Sequence, residues 1–309
     1  MKIGLIDVDG HNFPNLALMK ISAHHKAKGN DVIWWNPFED YDIVYQSKVF
    51  DKTYSRDIDV LVNAKIVVVG GTGYGLNENL PDEIEHIYPD YSLYPQLTKD
   101  TAYGFLTRGC PRDCAFCIVS QKEGKSSKKV ADVKEFWRGQ KTIKLLDPNI
   151  LACKQHKELL EQLIKTNAYV DFTQGLDARL ITEKNATLIS QIKIKNIHFA
   201  WDNKKDEAAV LRGLKTYAQY AKSKPHGYYG SVYVLVNYNT DFEYDLHRIY
   251  TLKQMKYNPY VMVYNKPSAD KKYKQLQRWC NNRIIFNSCT FDEYQNRFKR
   301  EIYGQKIDG

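Results

Sequence analysis

The sequence predicts an α/β protein in two parts: a small doubly wound parallel sheet followed by a partial (β/α)6 barrel. Three observations carry this expectation. Short apolar runs alternate with amphipathic stretches along the chain, the pattern of parallel strands joined by helical crossovers. A stretch with three prolines over 80–100, LPDEIEHIYPDYSLYPQLTKD, interrupts that alternation and reads as a linker. Beyond it the alternation resumes for six units, too few for the eight of a closed barrel. With 309 residues the chain also exceeds the size at which one core stays economical. The expected domains are 1–95 and 96–309.

In the first domain KIGLIDV reads as a strand and LALMKISAHHKAKG as an amphipathic helix closed by Gly29, the usual residue past a helix C-terminus. DVIWW, YDIVYQS and AKIVVVGGTG supply further strands, the last running into a glycine turn. In the second domain strands are expected at 103–107, 142–146, 169–173, 197–201, 232–236 and 260–264. Stretches such as KELLEQLIK and DEAAVLRGLKTYAQYAK, apolar at helical spacing, separate them. Active sites on such sheets gather at the C-terminal ends of the strands.

Composition fits a folded enzyme-sized protein, with 43% apolar and 26% charged residues and 23 Tyr as amphipathic packing groups. Asp7 and Asp9 directly follow the first apolar run, which therefore reads as a strand and not a signal peptide. No run approaches the ~18 apolar residues of a membrane span. A soluble cytoplasmic protein without a membrane partner is expected. A formal charge of +9 admits a nucleic-acid partner, yet the lysines are spread over the length, and the densest run, KEGKSSKKV, reads as a solvated loop.

Of six cysteines, three fall within YGFLTRGCPRDCAFCIVSQK: Cys110, Cys114 and Cys117. In a reducing compartment, clustered cysteines read as metal ligands and not as disulfide partners. Structural zinc usually takes four closed ligands from paired knuckles, and no second knuckle stands elsewhere in the chain. An iron–sulfur cluster held by three thiolates leaves one iron open for chemistry. Three buried thiols without metal are the remaining alternative. Cys153, Cys280 and Cys289 read as small buried hydrophobes.

CPRDCAFC, a Cys-x3-Cys-x2-Cys spacing with an aromatic before the third Cys, follows the first of six β/α units. In this it resembles the radical S-adenosylmethionine superfamily over roughly 101–265. The resemblance implies a 4Fe-4S cluster on Cys110, Cys114 and Cys117, S-adenosyl-L-methionine on its open iron, and Phe116 beside the adenine. It also implies an electron donor of flavodoxin or ferredoxin type and an unidentified substrate. Where the family has a Gly-Gly-Glu element this chain has LLDPN, making Asp147 the candidate for the cofactor's ammonium and Asn149 its neighbour. Gln174, Asp177 and Arg179 follow the third strand, and Arg179 could pair bidentately with the methionine carboxylate. Asp202 and Asn203 after the fourth strand, and Asn237 after the fifth, are candidates for the ribose. Each could equally be a helix cap.

The first domain resembles the corrinoid-binding domains that precede some members of this superfamily. DGHNFP stands where those domains carry Asp-x-His-x-x-Gly, with Pro14 in place of the glycine. Cobalamin would be held by His11, oriented by a carboxylate such as Asp9, with Gly70 and Gly71 allowing close approach. A satisfied loop histidine and a plain glycine turn are the alternatives.

Three functions are open: a radical enzyme, methylating if cobalamin binds; a radical enzyme that modifies RNA; and a zinc-containing binding protein without catalysis. The tRNA methylthiotransferases that share the cysteine motif add a cysteine-bearing front domain and an RNA-binding tail. Residues 1–100 contain no cysteine, and 279–309 is short for such a tail.

Overall fold

In the computed structural model, which describes residues 1–10, 12–56, 63–222 and 227–296, the chain forms two compact units. One comprises Met1–Gln174 with Ile192–Lys195, the other Gly175–Gln191 with Asn196–Gly309. The protein is mixed α/β, with a four-stranded and a six-stranded sheet.

The four-stranded sheet has the order β2-β1-β3-β4, built from β1 (Lys2–Asp7), β2 (Asp31–Trp34), β3 (Tyr41–Ser47) and β4 (Ala64–Gly70), with every pair parallel. A strand buried on both faces must be apolar at successive positions. β1, between two neighbours, meets that demand: Ile3 and Leu5 pack with Leu18 and Met19 of α1 (Leu16–Ala27), and Ile6 packs with Tyr41 and Val44. Asn15 caps α1 by accepting from the Leu18 N–H, and its amide donates to Ser47 Oγ at 2.8 Å, tying the helix start to the end of β3. The connection over 35–40 from β2 to β3 contains no helix. β4 is an edge strand, and its Ile66, Val67, Val68 and Val69 are all exposed.

The stretch read as a linker carries the short helices α2 (Asp82–Glu85) and α3 (Pro95–Thr98). After it come β5 (Thr101–Gly104), then β6 (Thr107–Arg108) and β7 (Lys128–Lys129), with α4 (Val119–Glu123) between them. β8 (Thr142–Leu145), α5 (His156–Thr166) and β9 (Tyr169–Leu176) follow. The second unit continues with α6 (Glu183–Gln191), β10 (Lys193–Ala200, whose first residues belong to the first unit), α7 (Glu207–Tyr220) and β11 (Ser231–Val236). It ends, among the described residues, with α8 (Phe242–Gln254), β12 (Asn258–Val263), α9 (Lys271–Asn281) and α10 (Arg283–Ser288). The six-stranded sheet has the order β12-β11-β10-β9-β8-β5, so strands neighbour one another in chain order. β6 and β7 stand apart as an antiparallel ribbon that the sequence did not announce. Among the described residues no helix is long and apolar enough to cross a membrane.

Within the second unit the core is aromatic, Trp279 packing against Phe286 and Phe291 with ring centroids 4.8 and 5.5 Å apart. α7 approaches the chain at Ala178 so closely that a Cβ on Gly213 would lie 1.7 Å from the Ala178 carbonyl oxygen. Beside this core Arg248 is fully buried. Its guanidinium donates to the carbonyls of Trp201 and Leu235, at the ends of β10 and β11, and pairs with the equally buried Asp245. Asp245 in turn accepts from the Asn237 N–H at 3.2 Å. Removing one member of a buried ion pair strands the other charge, at about 3–5 kcal/mol, whereas replacing both with apolar groups costs far less. Arg248→Leu should therefore lower the thermal midpoint sharply, and Arg248→Leu with Asp245→Leu should recover most of the loss; equal midpoints for the single and double variants would contradict the clamp.

Candidate metal centre

The three clustered cysteines lie in a loop that leaves β6 and returns through β7, so the ribbon closes its base: Thr107 pairs with Lys129 and Arg108 with Lys128. Further bonds tighten that closure. The Cys110 N–H donates to the Gly124 carbonyl at 3.1 Å, and the Glu123 carboxylate accepts from the Gly109 N–H and from Arg108, at 3.1 and 3.0 Å. Gly109 has φ +84°, and a Cβ there would lie 2.3 Å from the Ser126 carbonyl oxygen. Both the left-handed backbone and the close approach require glycine directly before the first cysteine.

Inside the loop the Cys117 N–H donates to the Cys114 carbonyl at 2.9 Å, forming a turn from which α4 starts. None of the three forms a disulfide, and all three are half-buried, whereas Cys153, Cys280 and Cys289 are buried. Burial pushes the Cys280 thiol far above its ordinary range, the opposite of what a thiolate ligand needs. Asn149, buried, donates its amide to Cys110 Sγ at 3.5 Å. Phe116 is half-buried beside the third cysteine. Among the described residues no group of three or more His, Cys, Asp or Glu, the three loop cysteines included, stands placed to hold a metal ion.

Asp147 lies just past β8, 4% exposed. Its carboxylate accepts from the Leu106 N–H at 3.1 Å, the Thr107 N–H at 2.5 Å and the Thr107 hydroxyl at 2.6 Å. The group expected to face a cofactor ammonium is instead committed to the backbone that leads into the loop. Burial outweighs these donors and raises its pKa to about 6.

Of the remaining expected contacts, Gln174, the last residue of the first unit's main segment, is exposed. In the second unit Asp177 caps a short turn by accepting from the Arg179 N–H at 3.1 Å. Arg179 donates from Nε to Asp177 at 2.8 Å and from a terminal nitrogen to Asp206, so its fork already grips two carboxylates. Asp202 accepts from the Leu235 N–H at 3.1 Å, and burial raises its pKa. Asn237, at φ +63°, donates its amide to the Tyr264 carbonyl at 3.1 Å. The helix following β10 is not capped by the Asn203 side chain.

His11 lies outside the described residues. Asp9, expected to orient it, accepts from the Val49 and Phe50 N–H groups at 3.0 and 2.7 Å and so shapes the turn after β3. Gly71 has φ +94° and would place a Cβ 2.4 Å from the Lys48 carbonyl oxygen, a requirement of the turn itself, while Gly70 opens onto free space. Both glycines line a cavity of about 1040 Å³ in the first unit.

No family model matches the chain, and no curated protein matches it.

The glycine before Cys110 was the available signal for a tightly closed loop; the roles of Glu123 and Asp147 depend on contacts 14 and 40 residues distant in sequence, respectively. An acid whose folded pKa lies above its unfolded value favours the folded state when protonated. The Asp147 contribution is therefore present below about pH 3.9 and lost as pH rises through its folded pKa of about 6. Asp147→Asn should flatten that part of the pH dependence of the thermal midpoint. It should also lower the midpoint at neutral pH, because an amide nitrogen cannot accept from the backbone N–H groups; an unchanged profile would remove the bracket.

Proposed function

We propose that the protein is a radical S-adenosylmethionine enzyme, with Cys110, Cys114 and Cys117 as the protein ligands of a 4Fe-4S cluster. The observation that carries this reading is the loop itself: three half-buried cysteines, none in a disulfide, between the paired strands β6 and β7, with the base of the loop fastened by Glu123 and the backbone. Three thiolates suit a cluster with one open iron better than closed four-ligand zinc. When bound, that cluster supplies the electron that cleaves S-adenosylmethionine reductively to methionine and a 5′-deoxyadenosyl radical, which takes hydrogen from a substrate. In this reading the six-stranded sheet is the open barrel of that superfamily, and a flavodoxin- or ferredoxin-type protein is the electron source.

The residues of this chain then have definite tasks. Asn149 directs an N–H at the Cys110 sulfur, which stabilises negative charge there and tunes the potential of the bound group. Asp147 fixes the entry to the loop, and Glu123 with Gly109 fixes its base. Phe116 offers a ring for stacking, and Gln174 an exposed amide for hydrogen bonding. Arg179 can take a methionine carboxylate only by exchanging one of the carboxylates it holds, so we assign it first to the ordering of its own turn.

The methylating branch draws no support from Asp9 or Gly71, since the turn after β3 accounts for both. The reading stands without cobalamin.

Anaerobic reconstitution with iron and sulfide should give a brown protein with about four irons per chain. Dithionite reduction should then release 5′-deoxyadenosine from S-adenosylmethionine. Replacing Cys110, Cys114 and Cys117 together by Ala should abolish both, while single replacement of Cys153, Cys280 or Cys289 should leave the iron unchanged. A colourless zinc protein that refuses iron would end the proposal and leave the non-catalytic binding protein.

A further inference from the structure

The cavity of about 1040 Å³ in the first unit stands at the upper end of the range for small-molecule sites. Leu16, Tyr45, Val68, Leu80, Phe105 and Val130 contribute apolar lining. Val68 is 41% exposed although it lies on a parallel strand, where side chains are ordinarily covered. Its charged lining comprises Lys20, Arg108, Lys122 and Lys129 together with Glu78, Asp82 and Glu85; Lys20 pairs with Glu85, and Lys129 with Asp132 and Glu158.

Arg108 and Lys122 differ in what neutralises them. Arg108 is paired with Glu85 and Glu123 and lies over the Phe105 ring at 3.9 Å, which holds the guanidinium in place. Lys122 donates to the Glu78 carbonyl at 2.6 Å, a neutral acceptor. Burial and the nearby Arg108 lower its pKa, outweighing the Glu123 and Glu78 carboxylates, which favour its charge without pairing with it directly. An anion in contact with the amine would add that direct ion pair, and the apolar lining would receive the body attached to it.

We propose that this cavity binds an organic anion with an apolar body, its carboxylate, sulfonate or phosphate group received by Lys122 and its body lying against Phe105, Val68 and Tyr45. The site goes beyond the radical reading and does not rest on it, because none of these residues holds the cluster.

Two dyes sharing one ring system test the assignment on the metal-free full chain: 8-anilinonaphthalene-1-sulfonate and its uncharged counterpart N-phenyl-1-naphthylamine, followed by fluorescence titration. The wild type should take up one sulfonate dye per chain. Lys122→Gln should weaken that binding at least tenfold while changing the affinity for the neutral dye less than twofold. Val68→Asp, at a position 41% exposed, should weaken both. Circular dichroism checks the fold of each variant, and iron uptake by Lys122→Gln after reconstitution should equal that of the wild type, which separates this site from the cluster. Equal losses for the two dyes in Lys122→Gln, or no loss for the sulfonate, would overturn the proposal. Hydroxocobalamin retained through gel filtration and excluding the sulfonate dye would overturn it too, by giving the cavity to a corrinoid.

Discussion

A single buried carboxylate sets the geometry of the cysteine loop. Asp147 accepts hydrogen bonds from consecutive backbone N–H groups at Leu106 and Thr107, and so holds the chain between β5 and β6 in position against the end of β8. Consecutive backbone donors aimed at one anion are costly to leave unmatched in a buried setting. From that anchor the chain passes into β6, turns at Gly109 and reaches Cys110 three residues after Thr107. The register of β6 on β7, the reach of Glu123 to the loop base and the approach of Asn149 to the first sulfur all presuppose that starting point.

The second unit solves the corresponding problem with a charge pair. Arg248 and Asp245 stand at the ends of β10 and β11, where the polar residues after each strand would otherwise compete for backbone partners. Asp202, Asn237 and Arg179 are drawn into this local bonding, each with a defined acceptor or donor close by in the same unit. A strand-end position is thus ambiguous by nature: the same residue types that hold ligands also satisfy the chain.

Much of the architecture was legible in the sequence because it depends on local periodicity. All the expected strands of the two sheets form, and the helix after the first strand ends at Ala27, with Gly29 past its C-cap at φ +73° as a closing glycine. The site was legible only as a set of spaced thiols. KEGKSSKKV reads as a solvated loop, and two of its lysines, Lys128 and Lys129, instead form β7, because what makes them a strand is pairing with Thr107 and Arg108 some twenty residues upstream. LLDPN likewise identifies Asp147 as a strand-end acid without saying whether it turns toward a ligand or toward its own backbone. Connections across such distances leave no periodic trace in a single sequence.

The edge of the four-stranded sheet bears on how the protein behaves at high concentration. β4 has a strand on one side only, among the described residues, and exposes four consecutive apolar side chains. Such an edge is a template for another chain's strand. A net charge of +9 opposes that encounter through repulsion between copies. The repulsion acts over a screening length of about 10 Å at 0.1 M salt and about 3 Å at 1 M. Colloidal stability in this protein is therefore an electrostatic property set against a hydrophobic edge, and high ionic strength favours the edge.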